Sequence, residues 1–118
     1  MEEVKFSRGD IVIVENPLQE NHKHVLSGNH HAVVIQNNGA NEFSPTLIVA
    51  YITTNLKRSD LPTNVVLQWY PYLKPCLVLA SQIQTIDKDD VIAKVGHLRE
   101  EDLRRVDMAL GYSLAMEV

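Results

Sequence analysis

The side chains best suited to chemistry in this sequence are imidazoles, and they crowd one stretch. His22 and His24 precede "GNHHAVVIQNN" (Gly28–Asn38), where His30 and His31 stand side by side before an apolar run. Imidazole titrates near neutrality and can take or give a proton, so a pair could act as acid and base. Four imidazoles could instead ligate zinc. Against that, no Asp or Cys sits among them, and adjacent histidines rarely serve one ion. A polar loop end is the third reading. Downstream, "NLKRSD" sets Lys57 beside Arg58.

The elements that must position these groups are mostly strands. "DIVIVE" (10–15) is β-branched and alternating. "HAVVIQN" (31–37), "TLIVAYITT" (46–54) and "NVVLQWY" (64–70) follow, and the apolar continuity of "TLIVAYITT" implies burial on both faces. "CLVLASQIQTI" (76–86) loses its alternation near Ala80 and Ser81, which predicts a bend or bulge. Turn residues separate them: a polar loop from Pro17 to about His30, "NNGANEFSP", "NLKRSDLP" and "PYLKP". Helical period enters only late. "DKDDVIAKV" reads as a short helix with Asp87 as N-cap. "REEDLRRVDMALGYSLAME" reads as a long one, with Leu103, Val106, Leu110 and Leu114 in one apolar stripe and acidic residues in the first turn. The expected class is α+β: a small curled antiparallel sheet closed by a C-terminal helix.

Bulk properties narrow the function. A chain of 118 residues fits a single domain and gains from oligomerisation. A formal net charge of −4 argues against a broad nucleic-acid-binding face but leaves room for a local groove. Cys76 is the only cysteine, so no internal disulfide forms. It reads as a small buried hydrophobe. "MEEVKFSRGD" lacks an apolar signal core, and no apolar run nears the ~20 residues of a membrane span. The expectation is a soluble cytoplasmic protein without membrane contact.

Several phrases then resemble one family in register. "RGDIVIVENP" resembles the opening strand of the MazF/PemK toxin ribonucleases, and "VVIQNNGANEFSPTLIVAYIT" resembles their central signature. "LPTNVVL", "SQIQTIDK" and "GHLREEDLRRVDMALGYSLAM" continue it, so the likeness runs from about Arg8 to Met116 within one domain, 1–118. The resemblance implies an SH3-like barrel or strongly twisted sheet (CcdB/Kid/MazF-like) with a C-terminal helix, forming a homodimer. It implies cleavage of single-stranded RNA by attack of the ribose 2′-OH, with no metal or other cofactor. It also implies a small antitoxin protein as partner.

The same resemblance assigns a site and shows departures from it. Thr53 matches the family's strand-end hydroxyl, although capping of its own loop explains a threonine there equally well. The family's catalytic arginine precedes the second strand in an Arg-Pro pair; here the register gives His30 and His31. The family's Glu-Gln-Ile-Arg in the fifth strand is here Ser81-Gln82-Ile83-Gln84, and its Gly-rich first loop is "QENHKHVLSG". The catalytic candidates are therefore His30, Thr53 and His31. Substrate-binding candidates are Lys23, Asn29, Lys57, Arg58, Ser81 and Gln82. Trp69 and Tyr70 could stack on a base or belong to core or dimer surface, and His97 reads as structural. Two readings stay open: an endoribonuclease with altered or weakened activity, and a decayed member that binds RNA or a protein partner. A gyrase-poisoning toxin of the CcdB kind is the less favoured third, because the phrases match the ribonuclease branch.

Overall fold

The computed structural model describes residues 4–16 and 28–116. Six strands and two helices run in the order β1 (Asp10–Asn16), β2 (Gly28–Val34), α1 (Asn38–Phe43), β3 (Thr46–Thr53), β4 (Asn64–Leu67), β5 (Cys76–Asp87), β6 (Val91–His97) and α2 (Glu100–Leu114). The strands form one antiparallel sheet of order β4-β5-β3-β2-β1-β6, unclosed, with β4 and β6 as its edges.

Alternation along the central strands feeds two apolar clusters. Ile11, Val33, Ala50, Ile52 and Val78 face Val106 and Ala109 of α2. Their neighbours Val12, Val14, Ala32, Val34, Leu47, Val49 and Tyr51 form the other cluster with Phe6 and Ile86. β3 thus buries both faces, as its continuous apolar run requires. The predicted irregularity in β5 is real. Ala50 pairs with Ile83 but Ile52 pairs with Val78, so Tyr51 alone stands against the four residues Leu79 to Gln82. Beyond the bulge the first half of β5 lies between two strands, Leu77 and Val78 pairing with Thr53 and Ile52 of β3 on one side and with Val66 and Val65 of β4 on the other.

Three elements differ from expectation. β2 begins and ends earlier than "HAVVIQN" suggests, so the histidine pair lies inside the strand, His30 opposite Val14 and His31 opposite Ile13. It stops at Val34 because Ile35 and Gln36 both donate to the Ile48 carbonyl, and the chain then turns into α1. Asn37 caps that helix by accepting from Ala40 N–H at 2.9 Å. Gln36 is buried and donates to Asn41 and to the Thr46 carbonyl. The expected helix at 87–95 is a single 3-10 turn, Lys88–Asp90, followed by β6, because an open edge of β1 is available for pairing. In α2 the acidic first turn is present, but the buried face runs through Val106 and Ala109 with Leu103 and Leu110 at its margin, and Leu114 is exposed.

A polar cluster fixes the chain between β4 and β5. Asp102, buried in the first turn of α2, accepts from Tyr70 Oη at 2.7 Å, from Arg105 at 2.9 Å and from Arg99 at 3.2 Å. Tyr70 Oη in turn accepts from Arg99 N–H, and the Arg99 guanidinium lies 4.3 Å over the tyrosine ring. Burial pushes the Asp102 carboxyl upward, but the hydrogen bonds from Tyr70, Arg105 and Arg99 outweigh it and leave the pKa below the ordinary carboxylate value. Burial and the bond to Asp102 raise that of Tyr70, which keeps its proton. Tyr70 is therefore core. Its neighbour Trp69 is exposed and adopts a left-handed backbone, φ +68. His97 is structural as expected, its Nδ1 2.8 Å from Asp10 Oδ1.

Candidate active site at the ends of β2 and β3

β2 and β3 pair as Ala32 with Tyr51, Val33 with Ala50 and Val34 with Val49. Carried two residues further, that register sets His30 across from Thr53. The alternation puts both on the sheet face that carries Ala32 and Tyr51, and the His30 ring meets Tyr51 edge-on at 6.1 Å. His31 falls on the opposite face with Ile52. Both histidines nevertheless border one depression of about 360 Å³ at the strand ends, with Asn29, Thr53, Tyr72 and Lys74 around it.

Thr53 Oγ1 accepts the Asn55 N–H at 3.1 Å. The hydroxyl therefore does cap its own loop, yet its proton stays available to donate outward. Cys76 also borders the depression, but burial pushes its thiol up to about 11, so at neutral pH it is no nucleophile.

A second depression shares Thr53 and extends from its other side. It is bordered by Lys57, Arg58, Asn64, Ser81 and Gln82. Arg58 is held by Asp60 at 3.3 Å, and its charge lowers the Asp60 pKa. Ser81 and Gln82 reach this surface because they lie in the β5 bulge, where the strand has left β3. The structure thus brings Asn29, His30, His31 and Thr53 to one depression and Lys57, Arg58, Ser81 and Gln82 to the adjoining one. Lys23, His22 and His24 lie outside the described residues. Among the described residues no three His, Cys, Asp or Glu side chains gather to hold a metal ion. Likewise no described helix is long and apolar enough to cross a membrane.

Two bordering residues escaped the sequence reading, Tyr72 and Lys74. The link that places them is long-range. Tyr72 Oη donates to the His97 carbonyl at 3.3 Å and accepts from His97 N–H at 3.2 Å. Its ring end occupies a notch that exists because residue 96 is glycine; a Cβ there would lie 2.1 Å from the ring. Nothing in "PYLKP" alone signals this contact.

The sequence profile of the PemK-like, MazF-like toxins of type II toxin-antitoxin systems matches residues 7–114, and the chain belongs to that family. It is 43% identical to the endoribonuclease EndoA of Bacillus subtilis over 86 residues, 71% of this chain and 74% of that protein. Among solved structures, MazF from Deinococcus radiodurans superposes with a TM-score of 0.81 at 19% identity, covering 97% of this chain and all of that one. A mycobacterial endoribonuclease in complex with its cognate antitoxin gives 0.76 at 19% identity, covering 98% and 99%. At that identity the two structures speak to the fold.

Proposed function

We propose that this chain is a metal-independent toxin endoribonuclease that cuts single-stranded RNA by attack of a ribose 2′-OH on the adjacent phosphate. The observation that carries the reading is the meeting of His30 and Thr53 on one face at the strand ends, between a polar and a basic depression. In the reaction the 2′-oxygen bonds to phosphorus and the 5′-oxygen leaves. The products are a 2′,3′-cyclic phosphate and a 5′-OH. One proton must leave the 2′-OH and one must reach the 5′-oxygen. His30 takes part in that transfer, because the strand register sets it across from Thr53 at one depression and an imidazole can both take and give a proton. Thr53 donates its hydroxyl proton to a non-bridging phosphate oxygen. His31, on the other face, contributes less. Asn29 and Lys23 would contact the RNA near the histidines, and Lys57, Arg58, Ser81 and Gln82 would hold it beyond Thr53.

The reading extends to a homodimer acting in the cytoplasm and restrained by a small antitoxin protein, as the mycobacterial endoribonuclease is in complex with its cognate antitoxin. Metal independence is part of the proposal, and a depression with no carboxylate among its described lining residues supports it. The test is incubation of the purified protein with a long RNA, with and without chelator, and mapping of new 5′-OH ends. Discrete 5′-OH ends insensitive to chelator support the reading. Intact RNA after prolonged incubation overturns it and leaves the non-catalytic binding member, which loss of the family arginine at position 30 favours.

A further inference from the structure

The resemblance places a permanently charged arginine where this chain has His30. An imidazole, unlike a guanidinium, is not a permanent cation and does not fork onto phosphate. A phosphate undergoing in-line attack gathers negative charge, and a cation beside it is a large part of what such sites supply. Among the described residues only one lysine or arginine borders the histidine depression: Lys74. Among the described residues no acidic side chain borders it, and Lys74 forms no hydrogen bond or ion pair with them. An ammonium at the rim of a depression with His30 and Thr53 suits a phosphate oxygen.

The segment that carries Lys74 is held at several points. Tyr70 is anchored to Asp102 on one side, and Tyr72 is hydrogen-bonded to the His97 backbone on the other. Leu73 N–H donates to the Tyr70 carbonyl, and prolines 71 and 75 restrict the backbone on either side. The ammonium therefore projects from a fixed stem.

We infer that Lys74 is a further catalytic residue, binding the scissile phosphate and supplying the ammonium charge at a depression that has no arginine among its described lining residues. The inference rests on the endoribonuclease reading above. The experiment compares wild type, Lys74→Ala and Lys74→Arg in cleavage of one short RNA and in binding of its uncleavable 2′-O-methyl counterpart, across a range of salt. Lys74→Ala should lower kcat/KM about 30-fold, and Lys74→Arg should restore most of it. The slope of log kcat/KM against log salt should become shallower by about 0.7, as for one lost phosphate contact on a single strand. Thermal stability and oligomeric state should not change. Lys74→Ala with wild-type kcat/KM and slope overturns the inference, and so does a loss of activity that tracks a change in oligomeric state. If the wild type cuts nothing, the endoribonuclease reading has failed. Lys74 is then judged on binding alone: weaker binding and a shallower salt slope in Lys74→Ala uphold the contact, while unchanged or absent binding overturns it.

Discussion

The cluster around Asp102 and the depression around His30 use similar residue types to opposite ends. At Asp102 a buried carboxylate is surrounded by Tyr70, Arg99 and Arg105, and each oxygen has a donor. At the ends of β2 and β3 the polar groups face outward, with a threonine proton and a lysine charge left for something else. Folding satisfies the first set inside the chain; in the second, the Lys74 ammonium and the Thr53 proton find no partner among the described residues. Polar residues that stabilise and polar residues that react can thus be separated by asking where their hydrogen-bonding capacity goes.

That contrast fails if His30 proves dispensable. His30→Ala should lower the cleavage rate about 100-fold or more, as for loss of an acid–base group. A rate unchanged in His30→Ala would reduce the histidines to a polar loop end. His30→Arg sharpens the point. It should not improve a site that works through imidazole, so a marked gain would show an ancestral arginine site in decay. Thr53→Val, which removes the donor and keeps the shape, should cost about tenfold in kcat with KM little altered. A rate equal to wild type would leave Thr53 as a loop cap only.

The Asp102 side predicts the reverse profile. Asp102→Asn should lower unfolding stability by about 2 kcal/mol, because bonds to a charged acceptor are lost while Arg99 and Arg105 remain partly solvated. Cleavage per folded molecule should stay near wild type. The folded pKa of Asp102 lies below its unfolded value, so its contribution is fully present above the unfolded pKa near 3.9 and is lost as pH falls through the folded one. Urea titrations at pH 7 and pH 3 should show the wild type losing more stability on acidification than Asp102→Asn. Equal losses would remove Asp102 from the account. The smallest effect belongs to Cys76. With its thiol near 11 and its side chain buried, it should react with a thiol reagent at pH 8 far more slowly than a free cysteine. Labelling as fast as in the denatured protein would contradict that burial.

Local signals made much of the sheet legible. The unbroken apolar run of β3 announced a strand buried on both faces, and the slip at Ala80 and Ser81 marked the β5 bulge. β6 was illegible for a physical reason. "DKDD" imitates a helix start, and only the free edge of β1, far away in sequence, makes "VIAKVGH" a strand. α1 was hidden because its six residues carry no apolar stripe and depend on the Asn37 cap. At the candidate site, Thr53 and the histidines stood out by type and position. Lys74 did not, since its place depends on Tyr72 seated against Gly96. Lys23 falls outside the described residues, and its relation to the depression stays an expectation.

Trp69 is the only tryptophan, it is 86% exposed, and it heads the segment that carries Tyr72 and Lys74. A left-handed backbone at a bulky residue costs about 1–2 kcal/mol, which the buried Tyr70 beside it holds in place. The protein therefore carries its own optical probe. Its intrinsic emission is that of a solvated indole attached to one rim of the depression. Unfolding barely changes the polarity around that ring, so emission colour will report poorly on global stability. Seating of an oligonucleotide against the adjacent segment will register instead as quenching or a blue shift, with no label added.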